Sequence, residues 1–380
     1  MLLTAMGAGR AHVRRLIVVA RELAARGTTV AFAVAAEDPD VVAEGFTILP
    51  VPDIGVTDYS RNLFAAYDGT VTEHHVVAEL AVYRQFAPDV VVSDLRPTAA
   101  LSTRLAGLPH VSLLNAYLSR GFDPALLTDG ASVRAGCARV VQRLQKRTSI
   151  GGFRIAARRL GLPRPASLDD LLDGDLTLLC DLPDYCPVRQ LPPMTSYVGP
   201  LVWEPTTGAL DVDVPPGRSL IYASTGSTGG RSLADLVVRA FAHDPETHVV
   251  LTTDRALSLP AEDTPTTTIR QLIRPGRLLA VAAAAIHSGG NGTTYQVAGA
   301  GVPAVVVPDN NDQRINAALI ARRGLGVRLE PSRATVESLR SAVERVRASA
   351  AVRATTDDFA HRYRTSAAAS AVATAVLGMG

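Results

Sequence analysis

Features that would assign this chain to several common classes of protein are scarce in it. Cysteine occurs three times in 380 residues, and no CxxC pair or histidine at zinc-ligand spacing accompanies Cys137, Cys180 or Cys186. The longest apolar runs, such as residues 278–286, are far shorter than the about 20 residues that cross a bilayer. These absences predict reduced thiols and a chain without stable membrane insertion.

An excess of charge of one sign is also lacking. The formal net charge is +2, lysine occurs once, at Lys146, and arginine is mixed with aspartate and glutamate along the chain. No basic stripe of the kind that binds nucleic acid is present, so nucleic acid is not an expected partner. Residues 1–9 contain no basic residue and are broken by glycine, which makes them a poor signal peptide. We expect a soluble, cytoplasmic protein.

The chain does contain a repeated alternation of apolar strands and helices. Hydrophobic residues make up 47% of the sequence, enough for large cores, and its length favours two domains of about 200 residues or fewer. Most predicted strands are continuously apolar rather than alternating, which is typical of parallel sheets covered by helices on both faces. The predicted fold class is α/β, with two successive Rossmann-like, doubly wound domains.

A segment rich in proline, glycine and aspartate, residues 199–218, interrupts this alternation. Such a composition is typical of a domain boundary. We predict an N-terminal domain over 1–205, a second domain over 206–360, and a C-terminal helix over 361–380 that crosses back to the first domain. A helical insertion over 124–160 fits either a solvated hairpin or one wall of a pocket for a second substrate.

The stretch 286–316 carries the most specific pattern in the sequence. A strand ends at His287, three glycines follow within four positions, and a helix and a second strand lead to a polar loop. Glycines let backbone amides approach a phosphate closely, and a helix N-terminus adds partial positive charge. Another glycine turn follows the predicted strand 219–224. Two such turns at the carboxyl ends of strands predict a site for a diphosphate.

These residues resemble a known signature. His287–Thr293, followed by Gly301-Val302-Pro303 and Asp312-Gln313, resembles the donor motif of the GT-B nucleotide-sugar glycosyltransferases, above all the bacterial natural-product enzymes. Ala11-His12 and residues 88–94 follow the family's order, so the resemblance covers nearly the whole chain. It implies two Rossmann-like domains that face a central cleft. It also implies inverting transfer of a sugar from a nucleotide-diphosphate donor to a hydroxyl of a small-molecule natural product.

The resemblance also implies roles for residues. His12 matches the base that takes the proton of the acceptor hydroxyl, and Asp94 matches the carboxylate that orients it and stabilises its protonated form. The expected donor contacts are those to the diphosphate (Thr225, Ser227, His287, Gly289, Gly290, Asn291, Gly292 and Thr293), to the sugar (Asp312 and Gln313) and to the nucleoside (Leu272, Ile273, Tyr295 and Gln296).

Neither a cofactor nor a metal is expected. The nucleotide sugar, carrying dTDP or UDP, is a co-substrate, and a helix N-terminus with His287 can stabilise the leaving diphosphate. Two DxD strings, 38–40 and 211–213, resemble the metal-binding string of other sugar transferases. Both lie in proline-rich, loop-like contexts remote in sequence from the glycine turns, so we do not interpret them as a metal site.

Three departures from the family's pattern bear on the donor and on the base. Relatives that use UDP-sugars often carry a glutamate for the ribose hydroxyls where this chain has Tyr295, followed by Gln296. Without that carboxylate, a dTDP-deoxysugar, which lacks the 2′-hydroxyl, is favoured over a UDP-sugar. Arg15 stands where many relatives have proline. Residues 272–275 lack the aromatic side chain that some relatives stack on the nucleobase.

The acceptor is less well defined than the donor. Segments 53–75 and 118–150 are candidate walls, and their aromatic and basic residues suit a polar or partly aromatic small molecule. The expected acceptor contacts are Tyr59, Phe64, Tyr67, Arg96 and Phe122. A place in a solvated loop is nevertheless the more ordinary interpretation of His74, His75 and Arg96. The type of linkage and the oligomeric state stay open, a homodimer included.

Other functions compete with this one. Gly7 and Gly9, with Glu37 after the second strand, resemble the start of a dinucleotide fingerprint, which would indicate an NAD-dependent oxidoreductase. His12 replaces the third glycine of that fingerprint, and the turn after His287 would be left without a function. A nucleotide-sugar epimerase is a second alternative. A non-catalytic nucleotide-sugar-binding or activator protein would be expected to lose the base, whereas His12 and Asp94 are both present.

Overall fold

The structure of the protein is a computed structural model. It describes residues 1–6, 10–35, 37–54, 63–127, 133–206, 212–226, 231–253, 263–271 and 273–380. The chain divides into two compact units, one of Met1–Leu201 with Ala367–Gly380 and the other of Val202–Ser366. The sequence predicts the first boundary at residue 205 and the start of the returning segment at residue 361.

The first unit is built on a seven-stranded sheet in which every neighbouring pair is parallel, in the order β3-β2-β1-β4-β5-β6-β7. The strands are β1 (Leu2–Ala5), β2 (Ala31–Ala33), β3 (Thr47–Ile48), β4 (Val91–Asp94), β5 (His110–Leu114), β6 (Leu176–Leu179) and β7 (Thr195–Tyr197). All residues of β1, β2, β4 and β5 are buried. Their uninterrupted burial explains why apolar residues occupy neighbouring positions, and so both faces, in each of these strands.

Helices connect these strands. They are α1 (Arg10–Ala25), α2 (Pro39–Ala43), α3 (Gly69–Phe86), α4 (Ala99–Ala106), α5 (Val133–Thr148), α6 (Gly151–Arg159) and α7 (Asp169–Leu172), with 3-10 turns at Leu63–Ala66, Ala116–Leu118 and Pro124–Leu127. Helix α3 begins after Asp68, whose carboxylate accepts from the backbone N–H groups of Thr70 and Val71 at 2.8 Å each. The predicted insertion over 124–160 is helical, formed by a 3-10 turn, α5 and α6.

The second unit is also built on a parallel sheet, which has six strands in the order β10-β9-β8-β11-β12-β13. Its strands are β8 (Ser219–Ser224), β9 (Thr247–Thr252), β10 (Thr267–Arg270), β11 (Ala284–His287), β12 (Ala304–Val306) and β13 (Gly326–Arg328). Its helices are α8 (Arg231–Phe241), α9 (Pro275–Leu279), α10 (Asn291–Gly299), α11 (Asn311–Arg322), α12 (Val336–Ala348) and α13 (Ala350–Arg364), with a 3-10 turn at Pro331–Arg333. The core of this unit packs α8 and α12 against the sheet. Two doubly wound parallel sheets confirm the predicted fold class.

One predicted helix is wrong in its position. The sequence predicts a helix over 278–284, but α9 ends at Leu279 and β11 begins at Ala284. The alanine-rich run favours a helix locally, whereas Ala284 pairs with Ile221 of β8 in the centre of the sheet. Tertiary pairing therefore overrides local propensity here. Strand β13 is not among the predicted strands, because three residues carry too little pattern.

The C-terminal helix α14 (Ala368–Leu377) belongs to the first unit. It packs against α1, with Val372, Ala373 and Val376 buried. Arg26, just after α1, donates to Ser370 Oγ at 2.6 Å and to Thr374 Oγ1 at 2.8 Å. Apolar contact and these hydrogen bonds hold the end of the chain on the unit in which the chain begins.

Candidate active site

Each sheet has one point at which the strand order reverses, and the predicted catalytic pair and the turn after His287 lie at these two points. In the first sheet β1 and β4 are neighbours, His12 lies on the helix after β1, and Asp94 ends β4. In the second sheet β8 and β11 are neighbours, and Ser224 pairs with His287 where both strands end. Ligands of doubly wound sheets bind outside the carboxyl ends of strands at such switch points.

The imidazole of His12 and the carboxylate of Asp94 form a hydrogen bond within the first unit. His12 lies in the first turn of α1 with 19% of its side chain exposed, whereas the side chain of Asp94 is fully buried. Nδ1 of His12 lies 2.8 Å from Oδ1 of Asp94. An ionised carboxylate only accepts hydrogen bonds, so Nδ1 donates and Nε2 keeps its lone pair. Nε2 can therefore accept a proton.

A third side chain, Arg15, also binds Asp94. Its Nε donates to Oδ2 at 2.5 Å and its Nη2 to Oδ1 at 2.6 Å. Burial by itself raises the pKa of Asp94, but Arg15 and His12 outweigh burial and hold that pKa below its usual range. Burial likewise lowers the pKa of Arg15, and Asp94 more than offsets it, so this pKa is raised. The pair is ionised at neutral pH.

His287 ends β11 and is completely buried. Its Nδ1 accepts the backbone N–H of Gly289 at 3.1 Å, so the proton of the neutral ring lies on Nε2. Burial lowers the pKa of His287 to about 4, which keeps the ring neutral at physiological pH. Nε2 of His287 has no hydrogen-bond partner among the residues that the structure describes. The turn thus contains a buried, uncharged N–H that can donate to a ligand oxygen.

Helix α10 begins directly after this turn. Its N-cap is Gly290, and no side-chain hydrogen bond caps the helix there. The first backbone N–H groups of a helix point along its axis and carry partial positive charge, which attracts an anion. A phosphate at the start of α10 can therefore receive hydrogen bonds from the amides of Asn291, Gly292 and Thr293.

The conformation of the turn requires glycine at position 289. Gly289 has φ of +96°, and a Cβ there would lie 2.8 Å from the carbonyl oxygen of Gln313 and 3.0 Å from Cγ1 of Val306. Ser288 Oγ donates to the carbonyl of Thr225 at 2.9 Å, which ties the turn to the loop after β8. Thr225 itself is buried, and the predicted contact Ser227 lies outside the described residues.

The predicted sugar contacts occupy the start of a helix rather than the loop before it. Asn310 caps α11 by accepting from the backbone N–H of Gln313 at 3.0 Å, and Asp312 is exposed in the first turn. The carboxamide oxygen of Gln313 accepts from the backbone N–H of Asp309 at 2.7 Å. The N-cap of α11 is therefore Asn310 and not Asp312. Binding of a sugar by Asp312 and Gln313 stays a prediction.

The predicted nucleoside contacts differ in how accessible they are. The ring of Tyr295 is 1% exposed and stacks on Phe359 of α13, with centroids 6.2 Å apart. Gln296 is half-buried and donates from Nε2 to the carbonyl of Trp203 at 3.2 Å. Ile273 is buried, and Leu272 lies outside the described residues. Tyr295 thus packs against α13. Contact of Tyr295 or Gln296 with a nucleoside stays a prediction.

Several predicted acceptor contacts are buried in the first unit. Arg96 is 2% exposed, and its Nε donates to Glu79 at 2.6 Å. Tyr67 packs on Phe153 with ring centroids 4.9 Å apart, and Phe64 is also buried. Tyr59 lies outside the described residues. The interpretation as solvated loop residues is wrong for Arg96 and His75, since both are buried. His74 is exposed, as that interpretation predicts, but it lies on helix α3 rather than in a loop.

The helical insertion borders a cleft of about 790 Å³ in the first unit. Phe122, a predicted acceptor contact, lies in its lining. The charged side chains of the lining are mostly basic: Arg120, Arg139, Arg143, Lys146, Arg147 and Arg189, against Asp123 and Asp169. The insertion thus forms the wall of a basic cleft. That an acceptor binds there stays a prediction.

Two residues that hold the site in place carry no signal of that role in the sequence. The sequence marks Arg15 only as a departure from the family pattern, and its partner Asp94 is 79 positions away. Asn316 donates to the carbonyl of Gly289 at 2.9 Å and so supports the diphosphate turn from α11. Neither contact has a local pattern, because each depends on two elements that meet only in the folded unit.

The described residues show neither a grouped set of metal ligands nor a membrane-spanning helix. Within the described ranges, no three His, Cys, Asp or Glu side chains are grouped so that they could hold a metal ion. Of the DxD strings, Asp38 caps α2 and Asp40 pairs with Arg14 at 2.9 Å, while Asp211 lies outside those ranges. The helices in this part of the chain include none with the length and apolar character needed to span a bilayer.

Known proteins resemble this chain in sequence. A family model described as the C-terminal domain of erythromycin biosynthesis protein CIII-like proteins matches residues 239–379. A PGL/p-HBAD biosynthesis glycosyltransferase of Mycobacterium tuberculosis is 32% identical over 296 residues, which cover 74% of this chain and 68% of the relative. A PGL/p-HBAD biosynthesis rhamnosyltransferase of Mycobacterium bovis is 33% identical over 288 residues, or 72% of this chain and 63% of the relative.

Solved structures share the fold over the whole chain. The glycosyltransferase of kitacinnamycin has a TM-score of 0.79 at 22% identity, covering 100% of this chain and 97% of the other. The glycosyltransferase VinC, solved in complex with DTDP, has a TM-score of 0.73 at 20% identity, covering 100% and 98%. The two parallel-sheet units, each with one switch point in its strand order, have the GT-B architecture of these solved structures. The chain belongs to the same family of glycosyltransferases as its Mycobacterium tuberculosis relative, and its architecture is GT-B.

Proposed function

We propose that the protein transfers a sugar, with inversion at the anomeric carbon, from a dTDP-sugar to a hydroxyl group of a small-molecule natural product. The observation that carries this proposal is the 2.8 Å hydrogen bond between His12 Nδ1 and Asp94 Oδ1. It fixes the tautomer in which Nε2 of His12 can take a proton from the acceptor hydroxyl. The developing imidazolium is stabilised by the buried carboxylate of Asp94, as in other His/Asp couples.

The second unit supplies the leaving-group half of the reaction. When the bond between the sugar and the diphosphate breaks, negative charge accumulates on the diphosphate. The Nε2–H of His287 and the first amides of α10 are donors that need no reorientation at that moment. Because the ring of His287 is neutral, it stabilises this charge by hydrogen bonding rather than as a cation.

Metal independence is part of this proposal, because backbone amides and His287 can stabilise the diphosphate without a divalent ion. We expect the rate of transfer to be the same in excess EDTA as in added Mg²⁺ or Mn²⁺. The measurement is the initial rate of product formation with protein that has been dialysed against chelator. Loss of transfer in EDTA, restored only by a divalent ion, would contradict the proposal.

The preference for dTDP rests on the residues that are predicted to contact the nucleoside. Tyr295 is buried, and neither it nor Gln296 supplies a carboxylate for a 2′-hydroxyl. The structural relative VinC is complexed with DTDP, and one sequence relative is named a rhamnosyltransferase, which agrees with a deoxysugar donor. The donor that we propose is therefore a dTDP-deoxysugar, with a UDP-sugar as the competing candidate.

The expected result is a larger thermal stabilisation by dTDP than by UDP at equal concentration. A ligand at 100 times its Kd adds about 2.7 kcal/mol to the free energy of unfolding, so a tenfold difference in Kd is readily measured. Gln296→Glu places a carboxylate at the accessible position and should tighten UDP by about tenfold relative to dTDP. Gln296→Ala, as the matched variant, should change both alike. Equal or stronger stabilisation of the wild type by UDP would overturn the assignment of the donor.

A further inference from the structure

Arg15 lies one helical turn after His12 on α1 and is buried, with 6% of its surface exposed. A buried arginine needs several acceptors, because its planar group carries five N–H donors and a fixed charge. Here the acceptors all belong to the surroundings of the His12–Asp94 pair. This placement raises the question of what the guanidinium does to that pair.

The guanidinium holds both oxygens of Asp94. Nε and Nη2 form a two-pronged contact with Oδ2 and Oδ1, at 2.5 and 2.6 Å. Oδ1 is also the partner of His12 Nδ1, and Nη2 of Arg15 lies 3.4 Å from that nitrogen. One carboxylate oxygen is thus shared between the imidazole and the guanidinium.

The far side of Arg15 is fixed as well. Nη1 donates to Oδ1 of Asn115, the residue after β5, and Nδ2 of Asn115 donates to the hydroxyl of Tyr117 at 2.8 Å. A planar group held on both sides cannot rotate, so Asp94 is held in one plane. The chain of contacts runs from Tyr117 through Asn115 and Arg15 to Asp94.

We propose that Arg15 is a positioning residue for the reaction, which fixes the orientation of Asp94 and neutralises part of its charge, so that His12 works beside a carboxylate already paired with a cation. This inference rests on the proposed role of His12 as the base. A lone carboxylate would stabilise the protonated imidazole more strongly. Removing the arginine is therefore expected to strengthen the attraction between Asp94 and the protonated imidazole.

The other groups packed around Arg15 do not replace this effect. Cys180, after β6, is buried, and burial raises its pKa to about 12, so the thiol is neutral. Asp181 carries the second nearby negative charge and accepts the backbone N–H of Ala116 at 2.6 Å. In the described part of α1, β4 and the ends of β5 and β6, Asp94 is contacted by the imidazole of His12 and by one permanent cation, the guanidinium of Arg15. Removing it should therefore change how Asp94 acts on His12.

The test replaces the charge and the shape of Arg15 separately. Arg15→Met removes both the positive charge and the two-pronged contact with Asp94 while keeping a long side chain. The acid limb of the profile of kcat/KM against pH should move up by about one pH unit, because Asp94 then serves His12 alone. The plateau of kcat should fall by about tenfold, because Asp94 is no longer fixed. Arg15→Lys keeps the positive charge but not the two-pronged contact with Asp94. The plateau of kcat should therefore fall, while the acid limb stays within about 0.3 pH unit of its wild-type position.

A matched control is Arg21→Met, on the same helix. Arg21 pairs with Glu44 at 2.6 Å and makes no contact with Asp94 or His12 that the structure describes. It should leave both the plateau and the pH profile at their wild-type values. A purely structural role of Arg15 would lower the yield of folded protein without moving the acid limb of the remaining activity.

The outcomes separate this inference from the proposed function. An acid limb at the wild-type pH in Arg15→Met overturns the role of Arg15 even if kcat falls. If Arg15→Met does not fold, Arg15→Lys is the deciding variant. A wild-type plateau of kcat in Arg15→Lys would show that the two-pronged contact with Asp94 is dispensable. Full transfer by a His12→Ala variant would instead remove His12 as the base, whatever Arg15 does.

Discussion

Replacing His12 by alanine is expected to lower the rate of sugar transfer by about 10² to 10⁴ while leaving nucleotide binding unchanged. The loss follows because Nε2 of His12 is the proposed proton acceptor, and its 2.8 Å bond to Asp94 holds it in the required tautomer. Binding should persist because the residues proposed for the diphosphate belong to the second unit. The measurements are kcat at saturating donor and Kd of dTDP by calorimetry.

The matched control is His74→Ala. His74 is an exposed histidine of α3 in the same unit, so its removal should leave both kcat and Kd at wild-type values. Unchanged turnover in His12→Ala would refute the assignment of His12. If the wild type bound nucleotide but transferred sugar to no acceptor in a broad panel, the alternative of a non-catalytic nucleotide-sugar-binding protein would gain support.

Replacing Gly289 by alanine should abolish measurable stabilisation by dTDP and destabilise the second unit by about 2 kcal/mol or more. The residue has φ of +96°, and a Cβ would stand 2.8 Å from a backbone carbonyl that cannot move without displacing α11. The turn must therefore shift, and with it the N–H of Gly289 that fixes the tautomer of His287. Chemical denaturation and thermal shift with dTDP measure the two effects.

Two other glycines separate backbone strain from damage to the site. Gly107 has φ of +65°, nothing lies within 4 Å of the position that a Cβ would occupy, and the residue ends α4 in the first unit. Gly107→Ala should cost about 1 kcal/mol of stability and leave dTDP binding intact. Gly292 lies within α10 with open space where its Cβ would be, so Gly292→Ala should not destabilise the fold. Stabilisation of Gly289→Ala by dTDP to the wild-type extent would show that the turn tolerates a side chain and refute its role.

Much of the fold could be predicted because its signals are local. Continuous apolar runs bounded by glycine and proline identify buried parallel strands, since a strand covered on both faces needs no polar positions. The turn after His287 could be recognised for the same reason, because three glycines, a histidine and the start of a helix are contiguous in sequence. Where local signals conflict with pairing, as in the alanine-rich run before Ala284, the prediction of a helix failed.

The sequence by itself determined the α/β class, two doubly wound units and the identity of the residues at their switch points. Only the tertiary structure decided which side chains act together. Arg15 binds Asp94 because β1 and β4 are neighbours, with Ala5 opposite Asp94, so that α1 lies over the end of β4. Tyr295 is buried against Phe359 because α13 packs on that face of α10. Partners and burial depend on which elements meet, and a single strand or helix does not encode that choice.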